Sequence, residues 1–324
     1  MTRPPEAETP RPATAASTDD LLELLQSVRR ELVLRGEDFQ GSWVEKAAED
    51  LRAGRQPGWY YPPANGRGGV SFGNVRGSRA WGHVHSADEE DAVRLSVALL
   101  DGLGSRAGAI NLGFTGLTVD AEHRLLATLA RRPGATVIER YCMARTLRPA
   151  DTEAPAGPPQ GLERVPARDI TLAALADLDW RAFRGSVDDQ LVGGDPEEYS
   201  RVLTGLLGNA LGLFLDAASA ALIETDPTRL VGGILTAEVS AHEAVFVDIM
   251  VEPDRRRRGY ARYLLRWALR ALVGLGYEKV RLWVTASNVP AVKFYESEGF
   301  RRVATTSIYR WERPAEVPQP QRSR

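Results

Sequence analysis

The sequence predicts an α/β (α+β) protein built from two tandem domains, each a mixed, mostly antiparallel sheet flanked by helices. Three observations support this fold class: a strand meander in the second half, amphipathic helices on both sides of it, and a similar order of elements in the first half. A Pro-rich stretch at residues 148–161 divides the chain near its middle and is typical of an interdomain linker.

The second half has the clearer pattern. Residues 169–183 and 196–207 have helical periodicity. Three apolar strands follow with short connections, which predicts an antiparallel meander over 219–225, 230–240 and 244–253. A long helix from about Tyr260, a strand, a short helix and closing strand segments complete this half.

The first half repeats this order weakly. Each half closes with a glycine followed by strand-favouring residues, at 134–147 and 299–313, and each has a helix and a strand upstream. We interpret the pattern as a tandem duplication. The expected organisation is a disordered tail over 1–19, a degenerate domain over 20–147, the linker over 148–161, a second domain over 162–313 and a tail over 314–324.

Composition excludes several classes of function. The net charge of -2 gives no overall basic field that would favour nucleic acid. Cys142 is the only cysteine, so an intrachain disulfide or a cysteine-built zinc site is excluded. His83 and His85 share a face of a predicted strand without further nearby ligands, and we expect no metal site. No apolar run approaches the roughly 20 residues of a membrane span, and no secretory signal precedes the tail. These features predict a cytoplasmic protein without a membrane partner.

Four consecutive arginines, Arg255–Arg258, join a predicted strand to a predicted helix through Gly259. A helix N-terminus carries a partial positive charge and unpaired N–H groups, so it can bind an anion. Gly259 has no Cβ, which lets a phosphate approach the backbone. By itself the run is also compatible with a solvated basic face or, less readily, with a nucleic-acid surface.

A second motif lies at residues 285–300, where a strand leads into a short helix. Asn288 can cap this helix, and Pro290 falls in its first turn. Ala291 and Tyr295 are four residues apart and share a face.

Together the two motifs resemble the acetyl-coenzyme-A binding core of the GNAT acyltransferases, and the resemblance extends from about residue 161 to 313. Arg256, Gly259 and Ala261 match the family's Gln/Arg-x-x-Gly-x-Gly/Ala motif, whose backbone amides wrap the pyrophosphate. Asn288 matches a coenzyme-contacting asparagine, and Tyr295 matches a frequent general acid. The tandem layout, with a degenerate first half, is similar to that of the mycothiol synthases. The resemblance implies a coenzyme-binding set of Ile249, Met250, Val251, Arg256, Arg257, Arg258, Gly259, Tyr260, Ala261, Arg262, Asn288, Ala291 and Tyr295.

The chemistry that the resemblance implies is direct attack of an amine on the thioester. Backbone N–H groups near Met250 and Val251 would polarise the carbonyl. Tyrosine is protonated at neutral pH, so Tyr295 can protonate the leaving thiolate. The alternative role for Tyr295 is a half-buried aromatic residue that packs the last helix on the sheet.

The general base is less well defined by the sequence. Many family members carry a glutamate on the fourth strand, and the sixth residue before Val251 is Val245, which cannot serve. Asp248 is the candidate base, although strand alternation puts it on the opposite face from Val245. Glu243 and Glu238 are alternatives that we expect to be surface carboxylates. A water chain, or an acceptor that arrives deprotonated, is also possible.

The first half lacks these motifs. Where its phosphate-binding turn should fall, the sequence has Asp88, Glu89, Glu90 and Asp91, which would repel a phosphate. We therefore expect one coenzyme A per chain.

The predicted function is acetyl-coenzyme-A-dependent N-acetylation of a small-molecule amine by the second domain, in a monomer or a homodimer, with no metal and no nucleic-acid partner. The acyl group could also be longer than acetyl. The alternatives are a coenzyme-A-binding sensor without turnover and, third, a nucleic-acid binder.

Overall fold

The computed structural model describes residues 9–35, 43–64, 67–152, 157–192, 196–209, 212–226 and 228–314. The helices are α1 (Thr18–Arg35), α2 (Trp43–Arg52), α3 (Glu89–Gly104), α4 (Val119–Leu129), α5 (Leu172–Phe183), α6 (Asp189–Val192), α7 (Pro196–Leu207), α8 (Tyr260–Gly274) and α9 (Val289–Ser297). The strands are β1 (Arg11–Pro12), β2 (Gly58–Ala64), β3 (Arg67–Arg76), β4 (Arg79–Ser86), β5 (Ala109–Thr115), β6 (Ala135–Thr146), β7 (Leu162–Pro166), β8 (Ala220–Thr225), β9 (Thr228–Ser240), β10 (Glu243–Val251), β11 (Lys279–Thr285) and β12 (Arg301–Glu312).

The chain forms two compact units. The first contains residues 1–31, 42–138 and 307–324. Its strand order is β1-β2-β3-β4-β5-β12, and β4 and β5 are parallel whereas the other registered pairs are antiparallel. The core of this unit is built from leucines of α3 and α4 and from apolar residues of β5 such as Ile110 and Leu112.

The second unit contains residues 32–41 and 139–306. Its strand order is β6-β11-β10-β9-β8-β7, with β10 and β11 parallel and the remaining pairs antiparallel. The predicted fold class is thus confirmed: each unit is a mixed, mostly antiparallel sheet flanked by helices.

The two halves of the chain exchange their closing strands. In the first unit, Tyr309–Glu312 of β12 pair with Leu112–Ala109 of β5. In the second unit, Arg140–Thr146 of β6 pair with Thr285–Lys279 of β11. The last strand of each half therefore completes the sheet that the other half begins, and the unit boundaries do not follow the linker.

The second unit packs helices on both faces of its sheet. On one face, the apolar side of α8 is buried against Phe246 and Leu282, as its periodicity predicts, through Leu264, Leu265, Ala268, Leu269 and Leu272. On the other face, α5 and α7 pack against Val245 and Met250. Each buried leucine contributes about 1.5–3 kcal/mol relative to an exposed one, so both faces are firmly held.

The predicted disorder over residues 1–19 is wrong for its C-terminal part. Arg11 and Pro12 of β1 pair with Tyr60 and Trp59 of β2. Ala13 is buried, and α1 already begins at Thr18. Ala13 and Ala16, which follow Pro12, are small enough to allow this close packing, which composition alone does not reveal. Residues 1–8 lie outside the described residues.

Other predicted irregular stretches are described only in part. In the linker, Pro149–Thr152 form a 3-10 turn, and Asp151 forms an ion pair with Arg145. Residues 153–156 of the linker and 315–324 of the C-terminal tail lie outside the described residues. Across the described ranges, no helix is long and apolar enough to cross a membrane.

Candidate active site

The parallel strands β10 and β11 separate early. Only Glu243–Val245 pair with Lys279–Arg281, although β10 continues to Val251 and β11 to Thr285. Beyond Val245, the β11-facing edge of β10 therefore has no strand partner in the described part of the chain. Backbone N–H and C=O groups on this edge are free to meet a ligand.

A β-bulge at Val247 changes the direction in which β10 presents its side chains. Phe246 and Asp248 pair with consecutive residues of β9, so Val247 is an extra residue. A one-residue insertion reverses strand alternation. Phe246 packs with α8 before the bulge, whereas Met250 packs with α5 and α7 after it. Asp248, two residues before Met250, therefore faces α5.

The expectation that Asp248 lies on the opposite face from Val245 is wrong for this reason. Val245 belongs to the cluster packed by α5 and α7. The bulge brings Asp248 to this same face, on which the resemblance to the GNAT acyltransferases predicts a general base. Alternation alone could not predict this, because Val247 is as apolar as its neighbours.

Asp248 forms a carboxyl pair with Asp179 of α5. The two side chains are hydrogen-bonded to each other, and Asp179 is only 2% exposed. Burial raises the pKa of Asp248 to about 7, opposed by its hydrogen bonds with Asp179 and the Ile249 amide. Burial, and then the charge of Asp248, raise the pKa of Asp179 well above its ordinary value. A carboxyl group that titrates near neutral pH suits general base catalysis.

Further acidic side chains lie near this pair. Asp188 accepts hydrogen bonds from the Thr285 hydroxyl and from Asn288 Nδ2, the latter at 2.8 Å. Asp189 accepts a hydrogen bond of 3.2 Å from the hydroxyl of Tyr199. Burial raises the pKa of Tyr199, and the nearby aspartates raise it further, so this hydroxyl stays protonated.

Tyr295 lies on α9, half-buried, with its ring against Phe294 and Phe300 at centroid distances of 5.2 and 5.9 Å. Its hydroxyl has no hydrogen-bond partner among the described residues. Burial raises the pKa of Tyr295, and the charges of Asp248 and Asp188 raise it further. The phenol is therefore protonated at neutral pH and is free to donate. The ring contacts also agree with the packing role, so the geometry is compatible with both interpretations.

The four arginines divide into two anchored and two free side chains. Arg255 forms a bidentate ion pair with Glu224. Arg256 donates to the backbone carbonyls of Val251 and Ala182. Arg257 and Arg258 are exposed and make no hydrogen bond or ion pair within the described residues. Only these two guanidinium groups are available to a ligand without breaking an existing contact.

The backbone of this turn has the geometry of an anion site. Arg257 and Gly259 are both left-handed, with φ of 61° and 84°. In the described residues, the N–H groups of 257–262 donate to no backbone carbonyl. A Cβ built on Gly259 meets nothing within 4 Å. Open space, free amides and two unpaired cations together fit a pyrophosphate.

The remaining predicted coenzyme-binding residues surround this turn or support it. The side chains of Ile249, Val251, Tyr260 and Ala261 pack in the α8 cluster, those of Val251 and Tyr260 buried and those of Ile249 and Ala261 half-buried. Arg262 pairs with Glu298 at 2.6 Å. The Ala291 amide donates to Asn288 Oδ1, and Asn288 thereby caps α9 as predicted.

Glu298 forms ion pairs with two arginines of α8, Arg262 and Arg266. Burial alone would raise the pKa of Glu298, but hydrogen bonds from Arg266 and Arg262 outweigh it and lower the pKa. These two arginines of α8 therefore hold α9 in place.

The two other candidate bases are engaged elsewhere. Both carboxylate oxygens of Glu243 bond to Arg281, and Glu238 accepts from the Tyr277 hydroxyl. They are half-buried partners in structural contacts rather than the exposed carboxylates expected.

The sequence reasoning missed Asp179, Asp188 and Tyr199. Asp179 carries a signal that could have found it: it lies four residues after Leu175 and three before Ala182, on the apolar face of α5. A carboxyl group on a buried helix face is costly and therefore marks a functional or paired group. Asp188 has no comparable signal, because acidic residues are ordinary in loops.

The first unit has a different arrangement at the corresponding place. Strands β4 and β5 pair continuously from Arg79–His85 to Ala109–Thr115. Asp88 caps α3 by accepting a hydrogen bond from the Asp91 amide. Both His83 and His85 are hydrogen-bonded to the Thr115 hydroxyl, at 2.7 and 2.9 Å. Throughout the described residues, no group of three or more His, Cys, Asp or Glu side chains could hold a metal ion.

Comparison with known proteins agrees with this geometry. Residues 172–300 match the acetyltransferase (GNAT) family. The chain is 30% identical over 221 residues to a mycothiol acetyltransferase of Thermobispora bispora, covering 64% of this chain and 71% of that protein. It is 30% identical over 179 residues to a mycothiol acetyltransferase of Clavibacter sepedonicus, covering 54% of this chain and 56% of that protein. The chain thus spans little more than half the length of the Clavibacter relative.

The fold is also found among solved structures. A tandem GNAT protein from the clavulanic acid biosynthesis pathway superposes with a TM-score of 0.58, covering 95% of this chain and 99% of that chain. The identity is 12%, so this likeness shows the fold alone.

Proposed function

Because this chain belongs to the GNAT acetyltransferase family, we propose that it transfers an acetyl group from acetyl-coenzyme A to a primary amine of a small molecule. The proposed catalytic domain is the part of residues 162–313 that belongs to the second unit, completed by β6 from the first half of the sequence. The observation that carries the proposal is the opening between β10 and β11, beside which Asp248 lies near enough to Tyr295 for its charge to raise the pKa of the phenol.

The turn before α8 would hold the pyrophosphate of acetyl-coenzyme A. Its free amides from 257 to 262, with the side chains of Arg257 and Arg258, supply the donors and the positive charge. Arg256 and Arg262 would contribute through their backbone, because their side chains already bond to carbonyls and to Glu298. The bound coenzyme supplies an activated acetyl thioester.

Two residues would manage the protons. Asp248 would take a proton from the acceptor ammonium, leaving the nitrogen lone pair free to attack. Tyr295 would donate a proton to the departing sulfur, since burial and nearby negative charge keep its phenol protonated. Amides on the unpaired edge of β10, near Met250 and Val251, would stabilise the charge that develops on the carbonyl oxygen.

The acceptor would be a cationic amine. The nearby groups include Asp179, Asp188 and Asp248, and in the described residues none of these three forms an ion pair with a lysine or an arginine. A site with this net negative charge attracts an ammonium group and disfavours an acidic acceptor. The names of two relatives make the deacetylated form of mycothiol one acceptor to include in a screen.

The test is acetyl transfer by the full chain over an amine panel of putrescine, spermidine, lysine, glucosamine and deacetylated mycothiol. Liquid chromatography with mass detection would identify the acetylated amine. We expect transfer to at least one cationic amine and none to a carboxylate-rich amine such as glutamate. Binding of acetyl-coenzyme A without transfer to any amine would instead support a sensor, and absence of coenzyme binding would contradict the proposal outright.

A further inference from the structure

Asp179 is a buried carboxyl group on an apolar helix face. It lies on α5 beside Leu175, Leu178 and Ala182, all of which are in the core. One of its carboxyl oxygens, Oδ1, is buried and has no hydrogen-bond partner in the described residues. Placing a carboxyl group here destabilises the fold unless the group has a function or a strong partner.

The partner is a second carboxyl group. Asp179 and Asp248 are neighbours within hydrogen-bonding reach, and two carboxyl groups can share a hydrogen bond only when one of them holds a proton. The other groups that act on the pair are Asp188, the Tyr199 and Tyr295 hydroxyls and the Ile249 amide. Within the described residues, neither carboxyl group forms an ion pair. No cation among the described residues therefore stabilises two ionised carboxylates, and like-charge repulsion between them favours a single shared proton.

We propose that Asp179 is a positioning residue that shares this proton with Asp248 and thereby keeps Asp248 ready to accept the proton of an acceptor amine that arrives as an ammonium. The inference rests on the proposed function and adds a residue to it. Asp179 is 2% exposed and touches no reacting atom, whereas Asp248 is half-buried at the strand opening.

The proton balance is simple. The N–H bond of the ammonium breaks, the proton goes to Asp248, and the electron pair stays on nitrogen. The pair changes from one proton and one negative charge to two protons and no charge. It returns to its first state by releasing one proton to solvent through Asp248. A lone aspartate on a strand would instead be ionised but too weakly basic to accept a proton efficiently near neutral pH.

The chain allows a matched comparison at position 179. Asp179→Asn keeps a donor for Asp248 in nearly the same volume. Asp179→Leu fills the site with an apolar group but removes the donor. If Asp179 acts by donating to Asp248, the two variants should differ in the pH at which Asp248 titrates, because a hydrogen bond to the charged form favours that form.

The first readout does not depend on turnover. Carbon-13 NMR of aspartate carboxyls in the full chain, assigned with Asp248→Asn, should show Asp248 titrating with a pKa of about 7. Asp179→Asn should leave this midpoint nearly unchanged. Asp179→Leu should raise the proton affinity of Asp248 by about tenfold, since burial then acts without the opposing hydrogen bond. An Asp248 that titrates in the ordinary range of an aspartate would overturn the proposal.

The second readout is the pH dependence of kcat/KM with acetyl-coenzyme A and the most active amine of the panel. Activity should rise with pH as Asp248 loses its proton, and this rise should move to higher pH in Asp179→Leu but not in Asp179→Asn. A uniform loss of activity in Asp179→Leu, with no movement of the profile, would mean that Asp179 is merely structural. If the NMR titrations give the expected result but no amine is acetylated, the proposal on the carboxyl pair is supported and the proposed acetyl transfer is contradicted.

Discussion

The first and second units use the same order of strand, helix and strand, but they differ where the two parallel strands end. In the first unit, β4 and β5 stay paired as far as His85 and Thr115. In the second unit, β10 and β11 separate after Val245 and Arg281. A bulge at Val247 accompanies the separation, whereas the pairing of β4 with β3 has no register shift.

The turns that follow β10 and β4 also differ: the first is open and the second is closed. The turn before α8 has two left-handed residues and free amides. The turn before α3 is closed by the Asp88 cap and has three more acidic residues in its first helical turn. The candidate site therefore arises from a bulge, a strand opening and a left-handed turn, which a fold can have or lack while keeping its architecture.

The largest effect is expected at the bulge. Asp248→Asn should lower kcat/KM by about 10²–10⁴, because an amide cannot accept the ammonium proton. Affinity for acetyl-coenzyme A, measured by calorimetry, should stay within about twofold. Glu238→Gln, on the neighbouring strand and bonded to Tyr277, is the matched control and should retain activity. Equal activity of the two variants would remove Asp248 from the mechanism.

The next largest effect is expected at Tyr295 on α9, the helix that follows β11. Tyr295→Phe should lower kcat by about 10² or more with coenzyme affinity nearly intact, because it removes only the proton donor. Tyr277→Phe likewise removes the hydroxyl of a half-buried tyrosine, but one that bonds to Glu238, and the kcat of this variant should be unchanged. If Tyr295→Phe lowers the melting temperature but not kcat, the residue only packs α9 on the sheet.

A smaller effect is expected at the turn. Gly259→Leu should weaken acetyl-coenzyme A binding at least about tenfold, because a side chain would enter the open space before α8. Gly276, at the other end of α8, has a similar φ of 86° and equally open surroundings. Gly276→Leu should therefore lower the free energy of unfolding by a similar amount, about 1–2 kcal/mol, without weakening the binding of acetyl-coenzyme A. Calorimetry measures how tightly both variants bind the coenzyme, and denaturant unfolding measures their stability. Together the two measurements distinguish backbone strain from exclusion of the ligand.

The smallest effect is expected in the first unit. Calorimetry on the full chain should give one coenzyme A per chain. Changing Glu89, Glu90 and Asp91 to Gln, Gln and Asn should leave this stoichiometry at one and cost about 0.3–1 kcal/mol of stability per lost charge at the helix N-terminus. The acidic charge is removed, but β4 and β5 remain paired. A second binding event would show that the acidic charge alone, and not strand pairing, prevents the first unit from binding coenzyme A.

Local pattern was sufficient to predict much of the fold. The meander β8–β9–β10 and the buried face of α8 follow from periodicity and short connections, and Asn288 follows from cap chemistry. Gly259 was predicted as the turn glycine, and its φ is left-handed. These features depend on residues that are neighbours in the sequence, so the local sequence is sufficient to predict them.

The missed features depend on partners far along the chain. Val247 looks like any strand residue, and nothing local marks it as the extra one. Arg257 is left-handed although it is not a glycine. The two closing strands, β6 and β12, have similar patterns, and a strand pattern does not specify which of two similar sheets it joins. Asp179 and Asp248 are 69 residues apart, and only the bulge and the packing of α5 bring them together.

The exchange of closing strands makes the second sheet depend on the first half of the chain. Tyr141 and Met143 come from the first half of the sequence, yet they pair with Val284 and Leu282 of the second unit's sheet. A gene shortened to its second half would encode an α/β sheet with an open edge at β11, which is prone to aggregate. The second sheet therefore depends on the last strand of the first half, whether or not the first unit binds a ligand of its own.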